Sequence, residues 1–392
     1  MKDKLMTAVK YFKFLYSIYF YIMSTAIRIM RLFVKPDDKL VLFNSFGGKK
    51  FDDSPKAIFD VMKTDDRFKE YKFVWAFHSP VKFAVEGAKV IKTDTFEYFK
   101  TALKARCWIT NSGIERGLDF KGKNTFYFNT WHGTPIKRMG ADIADTNKSF
   151  KSKGGNKTDI MTAQGDFEAD IFSRVFGISP EKFLLCGLPR NDKLANYKEQ
   201  DKKSIKNRLG IPEGKKVILY APTFREFERD EKHNCVLKPP MNLSKWRAEL
   251  GDEYCLLFRA HYEVANVMKI ENDGFVFNMS SYPLLEDLMI AADILISDYS
   301  SILFDFSIMD KIMLHFTYDY EKYSSNRGMY FDIRDYISGA DNETDLINHI
   351  KNMDIEDELN RTVVFRNKYV NYYGNAVRQS VDCIFDNIGG NK

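Results

Sequence analysis

The sequence has few cysteines, and none of them stands in a disulfide or metal-binding pattern. The five form no Cys-x-x-Cys pair and are scattered along the chain, at Cys107, Cys186, Cys235, Cys255 and Cys383. Such a dispersed, odd-numbered set argues against a disulfide framework and against a zinc site. We therefore expect the protein to work in a reducing, cytosolic compartment.

Several nucleotide- and metal-binding signatures are also missing. No Gly-x-x-x-x-Gly-Lys-Ser/Thr motif occurs, which excludes a P-loop NTPase. No Gly-x-Gly-x-x-Gly follows the first predicted strand, which disfavours an NAD enzyme. Because no His-x-x-x-His motif or compact carboxylate cluster is present either, we predict no metal site and no obligatory cofactor.

The chain has 392 residues, of which 44% are hydrophobic and 15% aromatic. This composition excludes a disordered chain, and the length predicts about two domains. The net charge of +5 is concentrated at one end, because residues 1–35 carry seven basic side chains and one acidic one. The remainder of the chain is nearly neutral, so no nucleic-acid partner is expected.

An uncharged stretch at residues 14–27 lies within this basic N-terminal segment and is rich in tyrosine and phenylalanine. It is shorter than the roughly 20 apolar residues that a spanning helix needs. Aromatic side chains at the headgroup level and basic side chains near anionic lipids favour an interfacial helix on the inner leaflet. A helix that packs against its own domain and a true transmembrane anchor are the two alternatives.

From residue 39 onward, short apolar runs alternate with helical patterns, which predicts an α/β protein with parallel sheets. Predicted strands include residues 40–46, 107–110 and 125–131 in the first half, and 217–222 and 294–297 in the second. The polar stretch 191–216 separates two halves of similar size. Two doubly wound domains would place ligands at the carboxyl ends of their strands, in a shared cleft.

The first polar cluster at a predicted strand end covers residues 129–137 and contains His132. A histidine at a strand end can be neutral at pH 7 and act as a general base. A buried histidine with a purely structural role is the alternative. The Gly-Thr-Pro that follows predicts a helix, because proline is favoured in the first helical turn.

Three further clusters follow predicted strands in the second half. Thr223 and Arg225 suit a phosphate, or else form a polar turn with a solvated arginine. Arg259 and His261 alternate along one strand face and could bracket an anion, or else face solvent. Residues 300–301 are serines at a predicted helix start, where they bind a phosphate or only cap the helix.

Five motifs carry a family resemblance: Trp-His-Gly-Thr-Pro-x-Lys (131–137), Gly-Leu-Pro-Arg-Asn-Asp (187–192), Ala-Pro-Thr-Phe-Arg (221–225), Arg-x-His (259–261) and Ser-Asp-Tyr-Ser-Ser…Phe-Asp-Phe (297–306). In this order they resemble the CDP-glycerol:glycerophosphate glycerophosphotransferases. These are the teichoic acid primases and polymerases of Gram-positive cell walls, with relatives in capsule assembly. The chain lacks the long extra N-terminal region of the large polymerases and is more similar to the short primase-type members.

The resemblance implies a GT-B-like architecture, in which two Rossmann-type domains are separated by a cleft. Residues 1–35 form the membrane-association segment, 36–195 the acceptor-side domain, and 196–392 the domain that binds the CDP-alcohol donor. The last helices, near residues 358–388, are expected to cross back onto the first domain. The expected location is the cytoplasmic face of the cell membrane, as a peripheral protein on anionic lipid.

The resemblance also assigns roles to individual residues. In the mechanism that we expect, His132 takes the proton of the acceptor, and His261 helps to hold negative charge on the donor phosphates. The expected donor- and substrate-binding residues are Trp131, Gly133, Thr134, Pro135, Arg190, Pro222, Thr223, Arg259, Ala260, Ser300, Ser301 and Asp305. Ala260 departs from the family pattern, because relatives often carry a bulkier residue such as methionine there.

The expected activity is transfer of glycerol phosphate from CDP-glycerol to a hydroxyl of a lipid-linked saccharide or glycerophosphate acceptor, with release of CMP. A membrane-surface scaffold without activity is a non-enzyme alternative, against which the intact pair of His132 and His261 speaks. Two alternative activities also stay open. One is the same chemistry with CDP-ribitol as donor, and the other is a GT-B glycosyltransferase that uses a UDP-sugar.

Overall fold

The computed structural model describes residues 13–143, 154–223, 225, 240–260 and 270–389. The chain divides into two compact units. The first consists of Met1–His132, Asp145–Arg190 and Asn375–Lys392, and the second of Gly133–Ala144 and Asn191–Gly374. The structure therefore has no single boundary after residue 195, because the chain passes between the units several times.

The first unit is built on one parallel sheet. Its strands are β1 (Asp37–Asn44), β2 (Lys72–Phe77), β3 (Ala88–Lys92), β4 (Ala105–Thr110), β5 (Phe126–Asn129), β6 (Ile160–Ala163) and β7 (Phe183–Leu185). They lie in the order β3-β2-β1-β4-β5-β6-β7. The winding direction reverses between β1 and β4, which makes this pair the switch point of the sheet.

Helices cover both faces of this sheet. They are α1 (Lys13–Arg31), α2 (Asp53–Met62), α3 (Phe96–Lys104) and α4 (Asp166–Phe176). Alternate side chains of β1 point to opposite faces, so Val41 and Phe43 join the core under α2. Leu40 and Leu42 join the other core, with side chains of α1 and α3. The unbroken apolar run of β1 thus reflects burial on both sides.

Helix α1 has two apolar faces with different surroundings. Tyr16, Phe20 and Ile27 are buried against the first unit. The opposite face and the turn after the helix expose large apolar side chains, namely Phe14, Leu15, Ile18, Tyr21, Ile22, Ile29, Leu32 and Phe33. No helix within the described ranges is both long and apolar enough to cross a membrane.

Two arginines in the last turn of α1 attach it to the loop after β4. The guanidinium of Arg28 pairs with the carboxylate of Asp119, and its Nε donates to the Asp119 carbonyl at 2.9 Å. Arg31 donates to the carbonyl of Phe120. These two basic side chains are therefore engaged within the first unit, and α1 packs against its own domain along one face.

The second unit contains a second parallel sheet. Its strands are β8 (Lys216–Tyr220), β9 (Tyr254–Phe258), β10 (Val276–Asn278), β11 (Ile294–Ser297), β12 (Ile312–Phe316) and β13 (Gly339–Ala340). They lie in the order β10-β9-β8-β11-β12-β13, so the switch point falls between β8 and β11. The two doubly wound sheets confirm the predicted α/β, GT-B-like class.

The described helices of the second unit are α5 (Asp192–Asn196), α6 (Glu199–Arg208), α7 (Leu243–Leu250), α8 (Leu285–Ala291), α9 (Ile302–Ser307), α10 (Tyr320–Arg327), α11 (Glu343–Asn352) and α12 (Ile355–Tyr369). α7 and α11 share one core with the sheet. A last helix, α13 (Ala376–Ile388), belongs to the first unit, where Val381 and Ile384 share a core with Phe59 of α2.

The predicted helix after Pro135 is wrong. Residues 133–139 form no helix, and their main chain bonds to a distant segment of the second unit instead. The N–H of Tyr330 donates to the Ile136 carbonyl at 2.8 Å, and the N–H of Arg138 donates to the Gly328 carbonyl at 3.0 Å. These tertiary hydrogen bonds use main-chain groups that a helix would have paired internally.

The two faces of α1 predict different effects of truncation. Phe20→Ala should lower the free energy of unfolding by about 3–5 kcal/mol, because the ring is only 5% exposed and its loss leaves a cavity. Phe14→Ala should change it by at most about 0.5 kcal/mol, because that ring is 75% exposed. Urea denaturation of the two variants measures the difference, and equal losses would contradict this packing of α1.

Candidate active site

The first group of predicted site residues lies at the carboxyl edge of the first sheet. His132 comes three residues after β5, which pairs with β4 beside the switch point. The ring Nδ1 lies 2.7 Å from the main-chain oxygen of Asn111, the residue that follows β4. Because a carbonyl oxygen can only accept, Nδ1 carries the proton in the neutral ring. The lone pair is then on Nε2.

Burial lowers the pKa of His132 below its ordinary value, although the Asn111 carbonyl and the charge of Asp53 act in the opposite direction. The ring stacks on Trp131 with a centroid separation of 4.2 Å, and the Phe46 ring lies 5.7 Å away. The imidazole is consequently neutral at pH 7 and held in one orientation. These are the properties that a general base needs.

The backbone before His132 has an unusual conformation. Trp131 has a φ of 49°, in the left-handed region that bulky residues rarely adopt. Its N–H donates to Oδ1 of Asn129 at 2.9 Å, and its ring packs against Phe172 and Phe176 of α4. Strained backbone of this kind persists where the surroundings over-determine it, as they do here.

Arg190, expected to contact the donor, forms an ion pair within the first unit. Its Nη1 lies 2.6 Å from Oδ2 of Asp53 and donates to the His132 carbonyl at 2.9 Å. Arg190 therefore holds the backbone of His132, while Asn111 holds its ring. Sequence reasoning missed Asp53, because the run Asp-Asp-Ser-Pro before α2 looked like an ordinary helix start.

Gly133, Thr134 and Pro135 belong to the second unit, as the first residues of its segment Gly133–Ala144. Gly133 has a φ of 145°, which favours glycine, and Thr134 is completely buried. The Trp-His-Gly-Thr-Pro motif thus contains the point at which the chain leaves the first unit.

In the second unit, one carboxylate joins the two loops at the switch point. Oδ1 of Asp298, directly after β11, accepts the N–H of Thr223 at 2.8 Å and its neighbour Tyr299's N–H at 2.6 Å. Thr223 follows the end of β8, after the half-buried Pro222. The hydroxyl of Thr223 is buried without a hydrogen-bond partner among the described residues. Asp298 was not singled out from sequence.

The interpretation of Arg225 as a phosphate ligand is wrong. Its side chain is completely buried, and its Nη1 lies 2.8 Å from Oδ2 of Asp298. Its Nε and Nη2 each lie 2.8 Å from an oxygen of Asp319. Nη1 also donates to the Thr223 carbonyl at 2.5 Å. All three guanidinium nitrogens are thus engaged, and Arg225 supports the loops instead of offering a free fork.

The serines and the aspartate of the fourth motif surround the short helix α9. Ser301 occupies the cap position without a side-chain cap, and Ser300 Oγ accepts the Ile302 N–H at 3.4 Å. Asp305 is 3% exposed and accepts a hydrogen bond from Asn191 Nδ2 at 2.7 Å. This bond ties α9 to the Gly-Leu-Pro-Arg-Asn-Asp motif.

The Arg-x-His motif is only partly described. Arg259, after β9, donates through Nη1 to the carbonyls of Met279 and Ser280 at 2.7 and 2.6 Å. Ala260 is buried in the core beneath the sheet. His261 lies outside the described residues. Within the described residues, no three His, Cys, Asp or Glu side chains gather in a way that could hold a metal ion.

Two parallel, doubly wound sheets with polar residues at their switch points define a GT-B-like α/β protein. The chain belongs to the CDP-glycerol:poly(glycerophosphate) glycerophosphotransferase family, whose model matches residues 26–386. It is thus an enzyme of the transferase class, a glycerophosphotransferase of teichoic acid synthesis.

Similar proteins support this membership. The teichoic acid glycerol-phosphate transferase of Staphylococcus aureus is 32% identical over 81% of this chain and 85% of its own length. The teichoic acid poly(glycerol phosphate) polymerase of Staphylococcus epidermidis is 33% identical over 78% of this chain, which spans only 44% of that polymerase. A histidine-to-asparagine variant of the wall teichoic acid polymerase TagF has a TM-score of 0.82 and 28% identity, with 97% of this chain and 98% of that one covered. That variant was also solved after a soak with CDPG.

The buried arginine predicts a large loss of stability on truncation. Arg225→Met should lower the free energy of unfolding by about 3–5 kcal/mol, because it leaves the buried Asp298 carboxylate without its cation. Arg67→Met is the matched control: Arg67 also pairs with two aspartates, Asp65 and Asp382, but at the surface. Its loss should cost about 1 kcal/mol or less. Chemical denaturation compares the two, and similar losses would contradict the assigned network.

Proposed function

We propose that the protein transfers glycerol phosphate from CDP-glycerol to a hydroxyl of a lipid-linked acceptor and releases CMP, in teichoic acid or capsule polymer synthesis. The observation that carries the proposal is His132, a neutral imidazole whose Nδ1 is held by the Asn111 carbonyl and whose Nε2 is left as the base. The family description and the TagF structure soaked with CDPG support CDP-glycerol as the donor.

In the proposed reaction, the acceptor hydroxyl gives its proton to Nε2 of His132 while its oxygen attacks the phosphorus that bears glycerol. The bond from this phosphorus to the bridging oxygen breaks, and CMP leaves with that oxygen. Such transfers depend chiefly on positioning and on stabilisation of charge. Asp53 and Arg190 hold the backbone of His132 and do not take part in proton transfer.

For the second unit we propose the donor phosphates as ligand. The Thr223 hydroxyl, which has no partner among the described residues, and the serines before α9 would bind phosphate oxygens at its switch point, with Arg259 and His261 supplying positive charge. Arg225 stays outside this set, because it is fully engaged by Asp298 and Asp319. We propose further that these groups make a metal ion dispensable.

We also propose that the protein binds the cytoplasmic face of the cell membrane through α1. One face of this helix is anchored in the first unit, so the opposite face is presented in a fixed orientation. Its exposed side chains recur every three or four residues and continue beyond the helix to Leu32 and Phe33. Burying this stripe in the headgroup region of an anionic membrane would remove it from water.

The base predicts a specific loss of activity. His132→Ala should reduce CMP release from CDP-glycerol and acceptor by about 10²–10⁴-fold, because no other group takes the proton. Binding of CDP-glycerol by calorimetry should be retained. His349→Gln is the control, because His349 of α11 pairs with Glu358 of α12, neither residue has a role in the proposed reaction, and the rate should be unchanged. A wild-type rate in His132→Ala would refute the role of His132.

Three further conditions sharpen this assay. CDP-ribitol and UDP-sugars replace CDP-glycerol in parallel reactions, and faster turnover with either would reassign the donor. A chelator should leave the rate unchanged if no metal is required.

The pH dependence follows from the environment of His132. Since burial lowers its pKa, the ring remains an unprotonated base to lower pH than an ordinary histidine. The rate should therefore be lost only as the pH falls below 6.5. Measuring kcat/KM from pH 5 to pH 9 tests this, and an acid limb centred above pH 6.5 would contradict it.

The exposed face of α1 predicts membrane binding that can be removed without unfolding. The triple variant Phe14→Ser, Ile22→Ser and Phe33→Ser should bind phosphatidylglycerol vesicles at least about tenfold more weakly, because each exposed apolar side chain adds buried area. Val81→Ser, at a residue 96% exposed outside α1, is the control and should bind like the wild type. Equal vesicle sedimentation of both variants would refute the membrane role of this face.

A further inference from the structure

Asn111 is a buried polar residue at the switch point of the first unit. It directly follows β4 and has no exposed surface. Its main-chain oxygen lies 2.7 Å from Nδ1 of His132, and its Oδ1 accepts the N–H of Phe46 at 2.7 Å. Its Nδ2 has no hydrogen-bond partner among the described residues.

The identity of this unpartnered atom follows from its neighbour. The Phe46 N–H can only donate, so the side-chain atom that faces it must be the amide oxygen. The remaining atom is therefore the NH₂ group, which can only donate. A buried donor without a partner is costly, and such groups call for a specific explanation.

The second unit contains an equivalent residue after its switch-point strand, Asp298, and both side-chain oxygens of that residue accept hydrogen bonds. There the residue after β11, Asp298, accepts an N–H from Thr223 in the loop after β8. In the first unit the residue after β4 accepts an N–H from Phe46 in the loop after β1. The other oxygen of Asp298 is bonded to Arg225, whereas the Nδ2 atom of Asn111 has no partner in the part of the chain that the structure describes. One side-chain oxygen of Asn111 or Asp298 is thus enough to join the two loops.

The position of the free donor points to its ligand. The Asn111 side chain is bonded to Phe46, whose ring lies 5.7 Å from the His132 ring, while the Asn111 carbonyl holds that same imidazole. A group bound at Nδ2 is therefore held by the same residue that orients the proposed base. It must offer a hydrogen-bond acceptor, and an alcohol oxygen does so.

We propose that Nδ2 of Asn111 donates a hydrogen bond to the acceptor hydroxyl that gives its proton to His132. This inference rests on the proposed function. Asn111 then orients both partners of the proton transfer, the base through its carbonyl and the hydroxyl through its amide. The O–H bond breaks as the Nε2–H bond forms, and Asn111 itself neither gains nor loses a proton.

Two variants of the full chain test this role. Asn111→Asp keeps an acceptor for the Phe46 N–H and loses the amide donor, and Asn111→Ala loses both. We expect kcat/KM for the acceptor to fall about tenfold to hundredfold in each, with the KM for CDP-glycerol within about twofold of wild type. For Asn111→Asp, the rate relative to wild type should fall further as the pH rises, because a protonated carboxyl still offers an O–H donor.

Asn129→Asp is the matched control at the same sheet edge. Both arms of Asn129 are bonded, Oδ1 to the Trp131 N–H at 2.9 Å and Nδ2 to the Ser112 carbonyl at 3.0 Å. This variant should therefore lose more thermal stability than Asn111→Asp, since it breaks a hydrogen bond that is formed within the protein. A larger stability loss in Asn111→Asp than in Asn129→Asp would mean that Nδ2 serves the fold, and would overturn the proposal.

Other outcomes separate this inference from the proposed function. Folded Asn111 variants with wild-type kcat/KM for the acceptor would overturn the inference alone. A raised KM for CDP-glycerol with unchanged acceptor constants would also overturn it, by assigning Nδ2 to the donor. Calorimetry with a glycerophosphate acceptor analogue adds a readout without turnover. If the wild type binds the analogue but transfers nothing, the proposed function fails, whereas weaker binding by Asn111→Ala still supports a hydrogen bond from Nδ2 to the acceptor. A wild type that does not bind the analogue overturns both.

Discussion

Where the strand order of a parallel sheet reverses, the loops that follow two neighbouring strands turn away from each other at the same sheet edge. The buried polar residues of both units lie at such a point. Main-chain N–H groups in those loops have no strand to pair with, so side chains must satisfy them. In the first unit the amide oxygen of Asn111 does so for Phe46. In the second the carboxylate of Asp298 does so for Thr223 and Tyr299. Each loop pair is thereby locked by one buried residue directly after a strand.

The two units use this lock in different ways. Asp298 is charged and buried, so it requires a cation, and Arg225 supplies one while also pairing with Asp319. Asn111 is neutral and needs no cation, so its carbonyl and one amide arm are available near His132. One switch point therefore has an ionic network beside a hydroxyl that no described residue bonds, and the other has a neutral base. This division is compatible with donor phosphates on the second unit and proton transfer on the first.

Much of the fold could be predicted from the sequence, because apolar runs such as residues 294–297 and 312–316 are continuous only when strands are buried on both faces. His132 could be found because it follows such a run. Asp298 was missed because Ser-Asp-Tyr-Ser-Ser reads as an ordinary loop and helix cap, and the Gly-Thr-Pro helix failed because its partners lie almost 200 residues away. The role of Arg225 could not be predicted for the same reason, because its partner Asp319 lies 94 residues further along the chain.

The charge at the N-terminus, the order of strands and helices and the motifs at strand ends follow from local composition and periodicity, which act over a few residues. The sequence does not show which polar side chains are already bonded within the protein. Tertiary contacts between segments far apart in the chain decide this. Arg225 and Arg190 look alike in sequence as available cations, yet both are held in ion pairs. Asn111 shows the converse, because its neighbours among the described residues leave one buried amide group without a partner.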